Sequence, residues 1–337
     1  MNSQHPRTYA ESGVDISAEE EAIRALRRHF KTKKKKGRGS QINIEGAYAG
    51  LLDMGDFIIG ITTDGVGSKV LVATEMGNWK TIGIDCMAMN VNDLYAMGLE
   101  PMAFVDYLAM ESIEPSIADQ IGQGLAKGAK IANVSIVGGE TASLPEIVRG
   151  FDLAGSCIGI AAKEDLVTGH KIENGDAVVG IPSSGVHSNG LTLARKLLAK
   201  YGLYTRYGSM ERTLGEELLL PTRIYSEVLD INKNCEVHGL AHITGGGLLN
   251  LKRLTRLGFS LSDPLEPQEI FSVIQAEGVE VREMYKTFNM GMGFAIVAPQ
   301  REVRRIARLS DGARQVGTIS GRGIRVRQDD ELVEIAK

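Results

Sequence analysis

The sequence is poor in cysteine. Its three cysteines, Cys86, Cys157 and Cys235, are widely separated and form no CxxC pair. This spacing predicts neither a disulfide framework nor a zinc site, and it favours a reducing compartment. The first residues lack the apolar segment of a secretion signal, and no stretch is apolar for long enough to span a membrane. We therefore expect a cytoplasmic protein with no membrane partner.

Excess positive charge is also missing. The 337 residues include 38 Lys+Arg and 42 Asp+Glu, giving a formal net charge of −4. A chain of this charge is not expected to bind nucleic acid through its overall field. Only residues 31–38 are strongly basic. Such a run is most often a solvated, mobile segment, and the alternatives are a nucleic-acid arm or a cationic flap over phosphates.

Two nucleotide and hydrolase motifs are absent. The chain contains no GxxxxGK[ST] and no GxSxG, which excludes a Walker A loop and a hydrolase nucleophile elbow. The length suits two domains. A polar, glycine-containing stretch at 163–176 predicts the junction, so that residues 1–165 form one domain and residues 170–337 the other.

Hydrophobic patterning predicts an α/β protein. A capping box at Ser17 predicts a first helix, and residues 31–50 are predicted to be loop. The rest of the first half predicts strands at 56–62, 102–108, 134–137 and 153–161, with helices at 69–76, 82–97 and 116–132. The second half predicts strands at 177–181, 294–298 and 315–319, with helices at 191–201 and near 221–234 and 248–257.

The stretch TTDGVGSK lies between a predicted strand and a predicted helix. Its members are Asp64, Gly65, Val66, Gly67, Ser68 and Lys69. Glycines here are explained by a plain turn. The alternative is a phosphate cradle, in which backbone N–H groups meet an anion and the carboxylate meets its cation.

Carboxylates recur at two further places. On the predicted helix 82–97, Asp85, Asn92 and Asp93 share a polar face that has no lysine or arginine. A surface helix also has a polar face, but uncompensated carboxylates favour a bound cation. Glu140 follows a glycine pair that is predicted to end the strand VSIV. Asp64, Asp93 and Glu140 are therefore predicted to converge on Mg²⁺.

The second half has its own glycine-rich loop, SSGVHSNG. It runs from a predicted strand to a predicted helix, which makes it a candidate anion site containing Ser184, Gly185, His187, Ser188 and Asn189. A lone histidine is more often structural, but its polar neighbours favour a ligand-facing role. The segments HITGGG and EMYKTFNMGMG are also dense in polar groups beside glycine.

These motifs resemble the phosphoribosylformylglycinamidine cyclo-ligase (aminoimidazole ribonucleotide synthetase) family. The resemblance extends in order from about Tyr9 to the last strand, through TDGVGSK, GIDCMAMNVND, FVDY, GGETA, DLAGSCIG, SSGVHSNG, PTRIY, HITGGG and EMYKTFNMGMG. The chain departs from the usual pattern at 44–50, where relatives are richer in glycine, and at Ser68, where threonine is usual.

The resemblance implies a two-domain α/β fold, with an N-terminal mixed sheet that forms a shared barrel in a homodimer and a C-terminal α/β sandwich. It implies ATP-dependent closure of formylglycinamidine ribonucleotide to aminoimidazole ribonucleotide, with Mg²⁺ required and K⁺ a candidate monovalent ion. It also implies catalytic roles for Lys69, His187 and Asn189; ATP or phosphate binding by Gly65, Val66, Gly67, Ser68, Asp106, Ser184, Gly185, Ser188, Thr287 and Asn289; and metal binding by Asp64, Asp85, Asp93 and Glu140.

Two other functions compete with this interpretation. One is a sister ATP-dependent kinase of the same superfamily, such as one acting on thiamine monophosphate. The other is a catalytically silent nucleotide-binding protein, which would have lost its acidic ligands. HSNG and TFNMG weigh against the first, and the presence of Asp64, Asp93 and Glu140 weighs against the second.

Overall fold

The computed structural model describes residues 6–30, 37–329 and 331–337, which form a separate helix and two sheets with their covering helices. The separate helix is α1 (Ile16–Arg27), the helix predicted from the capping box. Along the chain, the segment 163–176 follows the last strand of the first sheet and precedes the first strand of the second sheet. No helix among the described residues is long and apolar enough to cross a membrane.

The first sheet is mixed and has six strands. They are β1 (Ser40–Ile42), β2 (Gly50–Asp53), β3 (Phe57–Gly65), β4 (Glu100–Met110), β5 (Ser135–Ser143) and β6 (Phe151–Ala162), in the spatial order β1-β2-β3-β6-β4-β5. Among these described strands β4 and β5 pair in parallel, and the other neighbours pair antiparallel. Its helices are α2 (Lys69–Met76), α3 (Ile82–Tyr95) and α4 (Pro115–Ala132).

Helix α3 is the centre of this half. Every residue of α3 except Asp93 is buried. Glycines permit the close approach of α3 to α4: a Cβ on Gly83 would lie 2.3 Å from the carbonyl oxygen of Ile121, and one on Gly124 would lie 3.0 Å from the nitrogen of Gly83. This packing fixes the polar residues of α3 in space.

The other face of the first sheet is apolar, and the residues that the structure describes leave it exposed. Its exposed side chains include Phe57, Ile61, Met102, Val105, Tyr107 and Ile158. Strand β5 at the sheet edge is exposed along nearly its whole length, including Ile136 and Val137. A contiguous apolar face of this kind is unusual for a monomer.

The second sheet has seven strands. They are β7 (Ala177–Pro182), β8 (Gly239–His242), β9 (Phe259–Leu261), β10 (Met292–Ala298), β11 (Arg314–Ile319), β12 (Ile324–Gln328) and β13 (Glu331–Ala336), in the order β13-β12-β9-β11-β7-β10-β8. The helices are α5 (Leu191–Leu198), α6 (Leu214–Leu218), α7 (Glu227–Asn234), α8 (Glu269–Ala276), α9 (Val281–Thr287) and α10 (Val303–Leu309). Strands β7 and β10 are nearly continuous apolar runs because they are buried on both faces.

The predicted two-domain α/β class is confirmed. Several local predictions were wrong. Strand β1 lies inside the predicted loop 31–50, and GGETA continues strand β5 instead of ending it. Helix α7 begins at Glu227, since the residues before it are bonded to the first domain, and the predicted helix 248–257 is a 3₁₀ turn at Gly247–Arg253. Of the basic segment 31–38, residues 31–36 lie outside the described residues.

Candidate active site

The two domains meet at a group of polar side chains. Helix α3 supplies residues from the first domain, and three segments of the second domain pack against it: the loop 183–190, the stretch 220–225 and the end of β8. Of the predicted site residues, Asp85 and Asp93 lie on α3. The loop 183–190 carries Ser184, Gly185, His187, Ser188 and Asn189.

Lys69 and Asp85 form a fully buried ion pair. The Lys69 ammonium lies 2.8 Å from Asp85 Oδ1, and both side chains are 0% exposed. Lys69 Nζ also donates to the carbonyl oxygen of Leu220 at 2.5 Å. Burial lowers the pKa of Lys69, whereas the neighbouring Asp85 carboxylate raises it. In this structure the ammonium is bonded to protein groups on both sides of the domain boundary.

Asp85 gathers donors from the second domain. Its Oδ1 accepts hydrogen bonds from the backbone N–H and the hydroxyl of Thr222, both at 2.7 Å, and from the Ser188 hydroxyl at 3.1 Å. Its Oδ2 is buried and has no hydrogen-bond partner among the described residues. The predicted metal ligand Asp85 therefore accepts hydrogen bonds from protein groups, and these bonds join the two domains.

Asp93 is held by a histidine of the second domain. His242 at the end of β8 lies with its Nδ1 2.9 Å from Asp93 Oδ1. Its Nε2 lies 3.3 Å from the amide nitrogen of Asn92. Asp93 itself is partly exposed at the boundary, so one carboxylate oxygen is fixed by His242 while the side chain still reaches the site.

Asp64 lies close enough to Asp93 to be affected by its charge. Burial, and then the charge of Asp93, raise the pKa of Asp64 to about 6, although the N–H of Gly65 donates to its Oδ1 at 2.7 Å. Two carboxylates that repel each other in a partly buried place are a fit for a hard cation.

Glu140 is not part of this arrangement. It lies on the exposed edge strand β5, and the described residues contain no group of three or more His, Cys, Asp or Glu side chains that could hold a metal ion. Asp106 on the neighbouring strand β4 packs against Gly139, where an added Cβ would lie 2.4 Å from Asp106 Oδ1. Burial raises the pKa of Asp106.

The TTDGVGSK stretch connects β3 to α2. Gly65 ends the strand, Val66 is fully buried, and Gly67 has a φ of +68° that favours glycine. Ser68 Oγ accepts a hydrogen bond from the Thr192 hydroxyl of α5 at 2.9 Å. The turn and the start of α2 therefore lie against the second domain, and the predicted turn is present whatever ligand it binds.

Hydrogen bonds from the buried side chain of Asn289 support the SSGVHSNG loop. The amide of Asn289 donates to the carbonyl oxygen of Gly185 at 2.8 Å, and its oxygen accepts from the Ser183 hydroxyl and the Gly291 N–H, both at 2.9 Å. Asn289 is 4% exposed, so it supports the loop from inside the protein. Thr287 is also buried, with its hydroxyl 3.4 Å from Glu283 Oε1.

His187 is buried within its own loop. It has a left-handed φ of +64°, and its Nε2 accepts the backbone N–H of Ser184 at 3.1 Å. The proton of the neutral ring is therefore on Nδ1, which is buried and finds no partner in the part of the chain that the structure describes. Burial, together with the nearby positive charges of Lys69 and Arg223, holds the pKa of His187 well below its usual range.

The neighbouring polar residues of the loop point to the first domain or back to the protein. Ser184 Oγ donates to the carbonyl oxygen of Pro221 at 2.6 Å, and Asn189 Nδ2 lies 3.9 Å from the sulfur of Met89 on α3. Asn189 Oδ1 also lies 3.2 Å from the place a Cβ of Gly245 would take. Gly245 belongs to HITGGG, so that segment closes one side of the same site.

The atypical segment 44–50 is fixed to the second domain. The guanidinium of Arg253 donates to the carbonyl oxygens of Gly46 and Ala47 at 3.0 and 2.9 Å, and it stacks on the ring of Tyr48 at 3.8 Å. Tyr48 is buried and its hydroxyl lies 3.4 Å from the carbonyl oxygen of His242. This segment therefore borders the site.

Sequence reasoning missed Thr222, His242 and the role of Asn92. Asn92 is predicted on the polar face of α3, and His242 lies in HITGGG, a segment noted for its polar groups. Thr222 lies in PTRIY, which was noted only for the family resemblance. Their bonding partners are more than a hundred residues away in the chain, and no local pattern indicates such pairs.

Comparisons with known proteins define the class. Family models described as the N-terminal and C-terminal domains of AIR synthase related protein match residues 46–161 and 173–329. A solved structure, AaThiL complexed with AMPPCP and TMP, aligns with a TM-score of 0.68 at 18% identity, over 95% of this chain and 97% of that one. T. maritima PurL complexed with ADP aligns at 0.59 and 18%, over 88% and 45%. At such identities the likeness shows the fold alone.

Closer relatives define the family. Phosphoribosylformylglycinamidine cyclo-ligase of Methanosarcina acetivorans is 57% identical over 99% of this chain and 100% of its own length. The protein of the same name from Pyrococcus furiosus is 50% identical over 94% and 96%. The chain belongs to the phosphoribosylformylglycinamidine cyclo-ligase family.

Proposed function

We propose that this protein is an ATP-dependent cyclo-ligase that converts formylglycinamidine ribonucleotide to aminoimidazole ribonucleotide, ADP and phosphate. The single observation that carries the proposal is the 57% identity to a cyclo-ligase over nearly the whole chain. The site supports it, because carboxylates and glycine-rich loops from both domains meet at the boundary.

The reaction needs a leaving group before the ring can close. Transfer of the ATP γ-phosphoryl group to the formamide oxygen turns that oxygen into a good leaving group. The amidine nitrogen then forms the new C–N bond, and phosphate departs with the oxygen. Phosphoryl transfer is mostly a matter of positioning and charge neutralisation, so no covalent nucleophile is required.

Asp64 and Asp93 are the residues that fit Mg²⁺. Mg²⁺ is usually held by one or two carboxylates, with water and phosphate oxygens completing the shell. When bound, the ion would neutralise phosphate charge. The raised pKa of Asp64 supports this assignment, since a cation would relieve its repulsion with Asp93. We assign Asp85 to positioning the neighbouring segments of the second domain, because its Oδ1 is already bonded to Lys69, Thr222 and Ser188.

The two glycine-rich loops are the proposed phosphate sites. Gly65, Val66, Gly67 and Ser68 form one of them, and Ser184, Gly185, Ser188 and Asn189 form the other. We assign Lys69, His187, Thr287 and Asn289 to holding these loops, since all four are buried and Lys69, His187 and Asn289 are bonded to backbone groups of the site.

A homodimer in the cytoplasm is part of the proposal. The uncovered apolar face of the first sheet and the exposed edge strand β5 support it, because a second copy would bury both. Glu140 and Asp106 lie on β5 and β4, so such a partner would cover them too.

The experiment is an assay of the purified protein with formylglycinamidine ribonucleotide, ATP and Mg²⁺. We expect aminoimidazole ribonucleotide and phosphate in equal amounts, with K⁺ tested as an added salt. Thiamine monophosphate serves as the control substrate. Phosphorylation of that compound, or release of phosphate from ATP without ring closure, would contradict the proposal.

A further inference from the structure

A buried amide of the first domain contacts a histidine of the second. The Asn92 side chain on α3 is fully buried and makes three hydrogen bonds to the second domain. Two of them are to backbone groups, whose donor or acceptor character is fixed. They decide which end of the amide is nitrogen.

The orientation of the amide is unambiguous. The backbone N–H of Tyr225 lies 3.0 Å from the Asn92 oxygen, and a backbone N–H can only donate. The carbonyl oxygen of Arg223 lies 2.9 Å from the Asn92 nitrogen, and a carbonyl oxygen can only accept. Turning the amide over would place the Asn92 nitrogen opposite the Tyr225 N–H, a donor against a donor. It would also place the Asn92 oxygen opposite the Arg223 carbonyl oxygen, an acceptor against an acceptor. The Asn92 nitrogen therefore faces His242 Nε2.

This orientation decides where His242 carries its proton. The second hydrogen of the Asn92 nitrogen points at His242 Nε2 over 3.3 Å, so Nε2 must accept. The ring proton is then on Nδ1, which lies 2.9 Å from Asp93 Oδ1. We propose that Asn92 is a positioning residue: it fixes the Nδ1–H tautomer of His242, which in turn donates to Asp93 and aims that carboxylate into the site.

The inference rests on the proposed function only in its last step, the use of Asp93 for Mg²⁺. A ligand carboxylate is commonly oriented by a hydrogen bond from a neighbouring group, and loss of such a partner typically lowers metal affinity about 10–100-fold. The arrangement also joins the domains, because Asp93 is in the first and His242 in the second.

Nuclear magnetic resonance of the ligand-free protein tests the tautomer directly. With ¹⁵N-labelled histidine, the His242 signals are those absent from the His242→Asn variant. We expect a proton on Nδ1 and none on Nε2. A proton on Nε2 in the unchanged protein would overturn the inference.

A matched pair of variants tests the role of that proton. In His242→Asn the amide nitrogen can take the place of Nδ1 and donate to Asp93, whereas in His242→Gln it can only take the place of Nε2. We expect His242→Asn to keep kcat/KM at least about tenfold higher than His242→Gln. Equal losses in the two variants would mean that the ring only fills space.

The dependence on Mg²⁺ separates positioning from folding. In Asn92→Ala we expect the Mg²⁺ concentration for half-maximal rate to rise about tenfold or more, with kcat recovering at saturating Mg²⁺. A kcat that stays low at every Mg²⁺ concentration would contradict the proposed role. Ring closure in a protein whose His242 carries its proton on Nε2 would refute this inference alone. The expected tautomer without ring closure would refute the proposed function alone.

Discussion

Asp64 is a partly buried carboxylate beside a second carboxylate, Asp93. Its pKa is raised from 3.8 to about 6, first by burial and then by Asp93. Below the unfolded pKa both states hold the proton, so there is no penalty. As pH rises through the folded pKa, the folded state must ionise against its surroundings and loses stability. Above it, the ligand-free protein carries the full penalty.

Asp64→Asn should therefore stabilise the ligand-free protein while abolishing turnover. At about pH 7.5 we expect a gain of about 1–2 kcal/mol, seen as a melting temperature higher by a few degrees. The amide oxygen can still accept the Gly65 N–H, so the loop is kept. Thermal melts without Mg²⁺ and an activity assay measure both effects.

The pH dependence is the control for Asp64. Near about pH 4 Asp64 is largely protonated in the unchanged protein, so the difference in melting temperature should become small. A variant that is less stable at neutral pH, or that keeps near-normal activity at ordinary Mg²⁺, would contradict the assignment.

His187 is the second residue whose substitution is informative. His187→Ala removes the acceptor for the Ser184 N–H and leaves a residue at φ +64°. We expect kcat/KM to fall at least about tenfold, equivalent to ~1.4 kcal/mol of transition-state stabilisation. Steady-state kinetics with a thermal melt measure it.

His187→Asn is the matched control, because asparagine tolerates a left-handed φ and offers an acceptor. It should retain more activity than alanine. Rescue of His187→Ala by added imidazole would show proton transfer instead of loop support. A lowered melting temperature with normal kinetics would show a purely structural role.

Strand β10 has to pass very close to two aromatic side chains. A Cβ on Gly293 would lie 1.9 Å from Tyr225 Oη and 2.8 Å from Cε1 of His187. Gly293→Ala should therefore displace both rings, lowering stability by about 1–3 kcal/mol and lowering kcat/KM. Thermal melts and kinetics on this single variant test it.

Tyr225→Phe supplies the compensating change for that element. Removing the hydroxyl relieves the shortest contact of the new methyl group, while His187 Cε1 and the ring carbon Cζ stay 2.8 and 3.0 Å away. It also loses the 3.2 Å hydrogen bond to the carbonyl oxygen of Pro182. The double variant should be more stable than Gly293→Ala alone. If the two losses simply add, close packing at β10 is not the cause.

Elements with a strong local pattern were predictable from sequence. Helix α2 has the predicted bounds 69–76, and β7 and β10 were found as apolar runs. The predicted strand ends at residue 137, before Gly138, because a glycine pair is typical of a turn, whereas β5 continues to Ser143. There, a neighbouring strand and Asp106 decide the conformation. The same limit applies to the candidate site. Asp64, Asp85 and Asp93 could be proposed from the sequence, but the hydrogen-bond partners of Asp85 and Asp93, Thr222 and His242, come from distant segments.

The whole molecule presents one apolar sheet face that a second copy would cover. We expect light scattering at micromolar protein to give about twice the 36.4 kDa of one chain. Ile158→Asp, in the middle of the exposed face, should give the monomer mass and lower activity. Leu332→Asp is the control, because Leu332 is equally apolar and half exposed but lies on β13. A mass of one chain for the unchanged protein would exclude the dimer.

The buried Lys69–Asp85 pair has a consequence for behaviour on heating. The free-energy cost of removing two ions from water is high at low temperature and falls as the temperature rises. The stabilisation from buried apolar surface levels off instead. The boundary between the domains, which this pair and its bonds to Leu220 and Thr222 join, should thus weaken less with temperature than the apolar interiors of either domain. Cleavage by a thermostable protease in the stretch 163–176 should accordingly appear only with global melting. At high temperature the two domains would therefore stay packed against each other until the whole chain unfolds.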